Sequence, residues 1–387
     1  MGGRNETKVM YFILLGFPTT GEQQLLLFSA LLLAYLLTVL ENFLIILIIR
    51  NTHSLQKPMY FFLGNLSFLE IWYVSAIEPK MIRDVLSHDK RISFQGCMAQ
   101  LHFFVTFVCT EYVLLAVMAF DRFVAICKPL RYPLIMSHKL CAQLVAACWM
   151  CGLATSSIKL GFIASLSFCD VDKINHYFCD ISPLLNISCS DSSSAELVDF
   201  TLALLVIMLP LCAVVASYIC ILFTVLKIPS PQGRQKAFST CSSHLTVVVL
   251  FYSTTLFTYA HPKLMYTYRA NKLVSVLYTV VVPLLNPLIY CLRNKEVRVA
   301  MRRKSMLSPF LKSLQLNDCS VLFYSTTLFT YARPKLMYTY RANKLVSLLY
   351  TVVVPLLNPL IYCLRNKEVR VAMRRTFTCR RGAKEIN

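Results

Sequence analysis

Long apolar runs separated by short polar, basic segments set the pattern of this chain. Roughly 20 apolar residues in a helix cross the ~30 Å hydrocarbon core of a bilayer. Seven such runs precede residue 293, at about 25–49, 59–80, 97–121, 141–162, 197–226, 237–260 and 272–292, the second and sixth being the most polar. Lipid offers backbone N–H and C=O groups no partner, so each run is predicted to be a helix. The pattern predicts an all-α membrane protein: a seven-transmembrane helix bundle over 25–292, preceded by an extracellular N-terminus, 1–24.

Part of the pattern then recurs. Residues 249–303 return as 321–375, and only two of the paired positions differ: His261 against Arg333 and Val276 against Leu348. Solenoids need three or more units, so one near-identical copy that starts in mid-helix reads as a duplication. After the bundle the chain divides into a cytoplasmic basic segment 293–304, a linker 305–320, the duplicate 321–375 and a basic tail 376–387. The copy of the sixth run, Val321 to Ala332, is too short to cross alone. The copy of the seventh, about 344–364, is long enough, which adds a duplicated apolar segment after the seventh helix.

Composition agrees with the pattern. Hydrophobic residues make up 57% and charged residues 15%, against about 25% charged in soluble domains. The net charge of +20 would suit a nucleic-acid partner if it were gathered on a soluble domain. Instead the basic residues sit between spans, which implies a lipid bilayer and no nucleic acid. Arg50 and Lys57 follow the first run, Lys128, Arg131 and Lys139 the third, Lys227, Arg234 and Lys236 the fifth, and Arg293, Lys295, Arg298, Arg302 and Arg303 the seventh. The positive-inside rule places these loops in the cytoplasm and the N-terminus outside. Lys263, Arg269 and Lys272, in an outer loop, are the exception. Asn5-Glu6-Thr7 is a glycosylation acceptor on the expected outer side. If the second seventh-run copy crosses, the basic tail from Arg365 ends outside, against the same rule. If it does not, an apolar segment must lie on the membrane or fold back as a hairpin.

The 16 cysteines are scattered singly, without zinc-ligand spacing. Cys148 and Cys151 form a C-x-x-C, but inside an apolar run beside Trp149. No cleavable signal peptide is expected, and position 6 lacks the Ser or Thr of a myristoylation signal. No metal cluster, phosphate loop or catalytic triad is recognisable, so no cofactor and no enzymatic chemistry are expected. A secondary transporter would show inverted repeats, whereas this repeat is direct.

Five motifs then occur in order: Pro58-Met59-Tyr60-Phe61-Phe62-Leu63 with Leu66-Ser67; Met118-Ala119-Phe120-Asp121-Arg122-Phe123-Val124-Ala125-Ile126-Cys127 with Pro129-Leu130-Arg131-Tyr132; Ser217-Tyr218; Lys236-Ala237-Phe238-Ser239-Thr240-Cys241-Ser242-Ser243-His244-Leu245; and Pro283-Leu284-Leu285-Asn286-Pro287-Leu288-Ile289-Tyr290. Any one is modest evidence. Together, over residues 1–303, they resemble the vertebrate olfactory receptors, rhodopsin-like G-protein-coupled receptors. Four positions depart from the family pattern: Glu41 stands for a glycine before Asn42, Phe120 and Phe123 for tyrosines, and Glu70 for an aspartate. Glu41 puts an acid where a small residue normally permits close helix approach.

The resemblance implies a plasma-membrane, multi-pass receptor that binds a small apolar odorant and activates a stimulatory heterotrimeric G protein, raising cyclic AMP. A receptor for a non-odorant ligand and a non-functional duplicated gene product are the alternatives. Ligand contact is implied for Phe104, Val105, Val108, Cys109 and Tyr112 on the third span, Val206 and Ile207 on the fifth, Tyr252, Thr255 and Tyr259 on the sixth, and Thr279 on the seventh. Read without the family, such stripes at helical spacing are packing more often than pocket. Coupling and switching are implied for Asp121, Arg122, Tyr218, Lys236, Asn286, Pro287 and Tyr290. Arg122 stays charged and offers planar, multi-donor contacts, although an Asp-Arg pair can also merely anchor a helix end. Pro287 removes a backbone hydrogen bond, so a kink is expected. Asn42, Glu70, Glu111 and Asn286 are implied to form an interior polar site. Charge at membrane depth is costly and usually functional. A shared proton, a bridging cation and structural carboxylic acids all remain open there. The resemblance also pairs Cys97 with Cys179. Cys169 with Cys189 is a second candidate bridge whose connectivity the sequence leaves open.

Overall fold

The computed structural model describes residues 10–17, 21–168, 173–259, 272 and 275–293. Asn5, Cys169, the duplicate and the tail lie outside the described residues, as do the side chains of Lys236, Thr255, Tyr259 and Tyr290. The helices are α1 (Glu22–Asn51), α2 (Pro58–Leu86), α3 (Phe94–Cys127), the short α4 (Tyr132–Ile135), α5 (His138–Ala164), the short α6 (Ile181–Ile187), α7 (Ser193–Leu226) and α8 (Pro231–Tyr259). A π-helical segment, Leu277–Val281, then leads into α9 (Val282–Arg293). Among the described residues, each predicted run falls on helix. Five of them, α1, α2, α3, α5 and α7, are long and apolar enough to cross a membrane. The more polar α8 reaches 29 residues, in keeping with the weak hydropathy of the sixth run.

Local chemistry sets the helix starts. Pro58 occupies the first turn of α2, where its missing N–H costs nothing. Ser93 Oγ accepts from the Gly96 amide at 3.1 Å to cap α3, and Ser137 Oγ accepts from Leu140 at 3.3 Å to cap α5. Such caps contribute about 1 kcal/mol each. In the seventh span a π segment, Leu277–Val281, precedes α9, and Pro287 lies inside α9.

Burial identifies the centre of the bundle. Helix α3 packs against α2, α5, α7 and α8 and buries 20 of its 34 residues. At the other extreme, α1 and α7 expose Leu25, Leu26, Leu33, Phe200, Leu209 and Phe223. Apolar surface on that scale is stable against lipid and not against water.

A small three-stranded sheet, absent from the predicted elements, closes one end. Strand β1 (Tyr11–Leu14) pairs antiparallel with β2 (Arg91–Ser93), Phe12 opposite Ile92, and parallel with β3 (Lys173–Ile174), Leu14 opposite Ile174. Strand periodicity turns Phe12 and Leu14 inward, and both are fully buried. Phe12 packs on Phe94 and Phe168 with ring centroids 6.0 and 5.4 Å away. The N-terminal segment, the loop between the second and third spans and the loop between the fourth and fifth therefore share one end, as the loop charges require. Lys272 accounts for part of the charge exception. It is buried, and its Nζ donates to the Gly16 carbonyl at 2.6 Å and to Asn175 Oδ1 at 2.8 Å. Gly16 has φ +59°, a conformation residues with a Cβ rarely adopt.

Candidate functional site

The side chains implied to contact ligand come from four elements. On α3, Phe104, Val105, Cys109 and Tyr112 are buried and Val108 is half-buried; Val206 and Ile207 on α7 and Tyr252 on α8 are buried, as is Thr279 in the π segment. The Tyr112 ring lies 4.7 Å from Phe251 and 5.1 Å from Tyr252, so α3 and α8 meet through an aromatic junction. Tyr252 Oη is buried with no hydrogen-bond partner among the described residues. A hydroxyl left so in an apolar setting costs free energy unless something binds it.

Towards the sheet end, Phe104 meets Phe178 edge-on at 5.0 Å. Phe178 belongs to a loop fastened over the bundle. A disulfide joins Cys97 to Cys179, as implied, across 82 residues of sequence. The Cys179 amide donates to Gln100 Oε1 at 3.0 Å, and Gln100 Nε2 donates to the Ala76 carbonyl at 3.0 Å. Tyr177 Oη shares a 3.0 Å hydrogen bond with Thr279 Oγ1, and His176 Nε2 one of 3.2 Å with Ser275 Oγ. Thr279, one of the implied ligand contacts, thus holds the loop. Burial, with some help from Lys272, holds the His176 imidazole down to about 3, so it is neutral at physiological pH. Cys189 is disulfide-bonded; Cys169, its candidate partner, is outside the described residues.

Sequence reasoning missed two charged groups near this stripe. Lys159 on α5, 6% exposed, pairs with Asp199 on α7 at 2.7 Å, and its charge reaches the Cys109 thiol. The signal was legible: a lysine within an apolar span.

The interior polar residues do meet. Asn286 Nδ2 donates to Glu70 Oε1 at 2.7 Å, and Glu70 in turn lies within electrostatic reach of Glu111. Asn42 Nδ2 donates to the Thr38 carbonyl at 3.0 Å. All four are at most 2% exposed. Asn42 Oδ1 and Asn286 Oδ1 are buried without hydrogen-bond partners among the described residues. Glu41, next to Asn42, is also buried.

At the opposite end from the sheet, Arg122 Nη2 stands 3.7 Å from Asp121 Oδ2, and Tyr132 Oη donates to Asp121 Oδ1 at 2.8 Å. Desolvation, then the Asp121 charge, raises the Tyr132 hydroxyl above its usual range. Tyr218 on α7 bonds His244 Nδ1 at 2.8 Å, and His244 Nε2 contacts the Leu115 carbonyl at 3.1 Å. His244 joins α3, α7 and α8 through these contacts. It stands in the motif that opens the sixth span, yet a lone histidine there carried no sign of its partners.

Comparison with known proteins completes the picture. The olfactory receptor family profile matches residues 31–308. Human olfactory receptor 6Y1 is 69% identical over 77% of this chain and 92% of its own length. Human olfactory receptor 6P1 is 57% identical over 76% of this chain and 93% of its own length. The crystal structure of squid rhodopsin shares the fold, with a TM-score of 0.58 at 16% identity, covering 77% of this chain and 91% of that one. These are membrane receptors and not enzymes, and the disulfide-tied helical bundle is of the same build. The chain therefore belongs to the olfactory receptor family and has the rhodopsin-like fold of a multi-pass G-protein-coupled receptor.

Proposed function

We propose that the chain is an odorant receptor of the plasma membrane, with the sheet end outside. It takes a small apolar ligand among Phe104, Val105, Val108, Cys109, Tyr112, Val206, Ile207 and Tyr252. The observation that carries this reading is the unpartnered Tyr252 hydroxyl beside an aromatic junction. Apolar walls with one or two orienting polar groups are the usual make-up of small-molecule sites. At roughly 0.3–0.6 kcal/mol per non-hydrogen atom, an odorant of about 12 such atoms gains ~4–7 kcal/mol, which corresponds to micromolar to millimolar binding. Weak ligands still switch a receptor when they favour its active state.

The output side is read the same way. Ligand held at the Tyr112–Tyr252 junction shifts α8, and His244 and Tyr218 pass that shift towards Arg122. Outward movement of α8 then exposes Arg122 to a stimulatory G protein, and cyclic AMP rises. Asn286 and Pro287 sit at the seventh-span joint that moves with it. Inside the bundle, a proton or a cation between Glu70 and Glu111 relieves their repulsion.

The test is cyclic AMP in cells that express the full chain, exposed to a panel of small apolar odorants. Arg122→Ala is expected to abolish the response while odorant affinity stays within about threefold. A full response from Arg122→Ala would remove the coupling role.

The duplicate gives a separate expectation. A second seventh-span copy followed by basic residues cannot satisfy both hydropathy and the charge rule. Stopping the chain after Lys304 is expected to raise surface expression several-fold, as measured by an N-terminal tag on intact cells. Equal or better expression of the full chain would count against the idea that the tail hinders folding.

A further inference from the structure

Three Asn-x-Ser/Thr acceptor sequences occur in the chain: Asn5-Glu6-Thr7, Asn65-Leu66-Ser67 and Asn186-Ile187-Ser188. The structure separates the last two. Asn65 lies within α2, where its Nδ2 donates to the Phe61 carbonyl at 2.8 Å, and Ser67 is 2% exposed. Helix α2 is long and apolar enough to cross a membrane, so this acceptor sits inside a span. Asn186 is placed differently. Helix α6 packs through Ile181, 6% exposed, and Leu184, fully buried. At roughly 3.6 residues per turn those two share one face, and Asn186 occupies the opposite one. It is exposed, and its amide makes no side-chain hydrogen bond among the described residues. The helix ends directly after Ile187, and Ser188, at φ −70° and ψ 141°, is extended. A bulky group on Asn186 therefore meets solvent, and no core contact has to break to accommodate it.

The fold also fixes the side of the membrane that Asn186 shares. Strand β3, in the same loop, pairs with β1 of the N-terminal segment. Cys179, seven residues ahead of Asn186, is bonded to Cys97 near the start of α3. Asn5 precedes Tyr11, the first residue of β1, by six residues, too few to cross a bilayer. Asn5 and Asn186 therefore lie on one side, whichever side that is.

We propose that Asn186 carries an N-linked oligosaccharide, added on the lumenal side of the secretory membrane. The inference rests on the outside placement of the sheet end proposed above. The donor is an oligosaccharide joined through a diphosphate to a membrane polyprenol, and a membrane-bound transferase brings donor and acceptor together. The Asn186 amide nitrogen bonds to the anomeric carbon of the first sugar and gives up one proton. The bond from that carbon to the diphosphate oxygen breaks, and its electron pair leaves with the lipid diphosphate. The transfer needs no oxidant or reductant. The sugar then covers the outward face of α6, beside the disulfide-bonded Cys189, with a large hydrophilic group.

The full chain is expressed in cultured cells that N-glycosylate, and its gel mobility is compared before and after an amidase that removes N-linked sugars. Asn5→Gln is expected to keep one glycan, seen as a single mobility step lost on treatment. Adding Asn186→Gln is expected to abolish that step. Adding Ser188→Ala instead is expected to do the same with the Asn186 side chain intact. The readout is a covalent mass, so it does not require either variant to fold. Treatment that shifts the wild-type chain but leaves Asn5→Gln unchanged would overturn the proposal and leave the outside placement standing. A step that survives Asn186→Gln in the Asn5→Gln chain would put the sugar elsewhere and overturn it too. A wild-type chain that treatment does not shift would overturn the outside placement and the proposal together.

Discussion

Replacing Cys97 by serine is expected to remove nearly all receptor from the cell surface. The Cys97–Cys179 bridge closes a span of 82 residues, for which chain entropy in the unfolded state corresponds to about 4 kcal/mol of stabilisation. That is comparable with the whole folding free energy of many domains. The consequence is also local, because Tyr177 and Phe178 directly precede Cys179, and Phe178 packs on Phe104. Surface staining of an N-terminal tag and the melting temperature of solubilised receptor measure the two effects. Cys179→Ser is expected to match Cys97→Ser, and the double variant to be no worse than either, since both remove one shared bond. A single variant with wild-type surface level and a melting temperature within about 2 °C would mean that the Gln100 and Tyr177 hydrogen bonds suffice to hold the loop.

The spans were legible because lipid enforces a simple rule: a continuous apolar run must satisfy its own backbone. Both ends of the bundle were harder to read. The sheet rests on Tyr11–Leu14, four residues whose alternation is too short to stand out and whose two partners lie about 80 and 160 positions away. The π segment at Leu277–Val281 leaves no mark in an apolar stretch. The interior acids Glu70 and Glu111 were visible as charges at membrane depth. Their meeting with Asn286 depends on helix rotation, which periodicity alone does not fix. His244 shows the limit most clearly. Its two ring nitrogens bridge Tyr218 and Leu115, partners separated from it by 26 and 129 residues, and nothing local in sequence connects them.

Helix packing leads to the last prediction. Gly152 on α5 faces α3 so closely that a methyl group there would collide with Thr110 Oγ1 and lie 2.5 Å from the Thr106 carbonyl oxygen. Thr110 is already committed, donating to that same carbonyl at 2.7 Å. The backbone oxygen cannot rotate away, so α5 must move as a body. Gly152→Ala is therefore expected to destabilise the receptor by about 1–3 kcal/mol, as overpacking does, and Gly152→Val by more. The displacement would carry Lys159, two turns along α5, away from Asp199 and disturb the polar edge near Cys109. Gly161 on the same helix is the control, because a methyl group there meets nothing within 4 Å. Gly161→Ala is expected to be neutral or to stabilise by up to about 1 kcal/mol through helix propensity. Melting temperatures of the two alanine variants decide the matter: a clear fall for Gly152→Ala beside an unchanged or higher value for Gly161→Ala supports the close approach. Equal values for both would mean that α3 and α5 are held less tightly than their contact at Thr106 and Thr110 indicates.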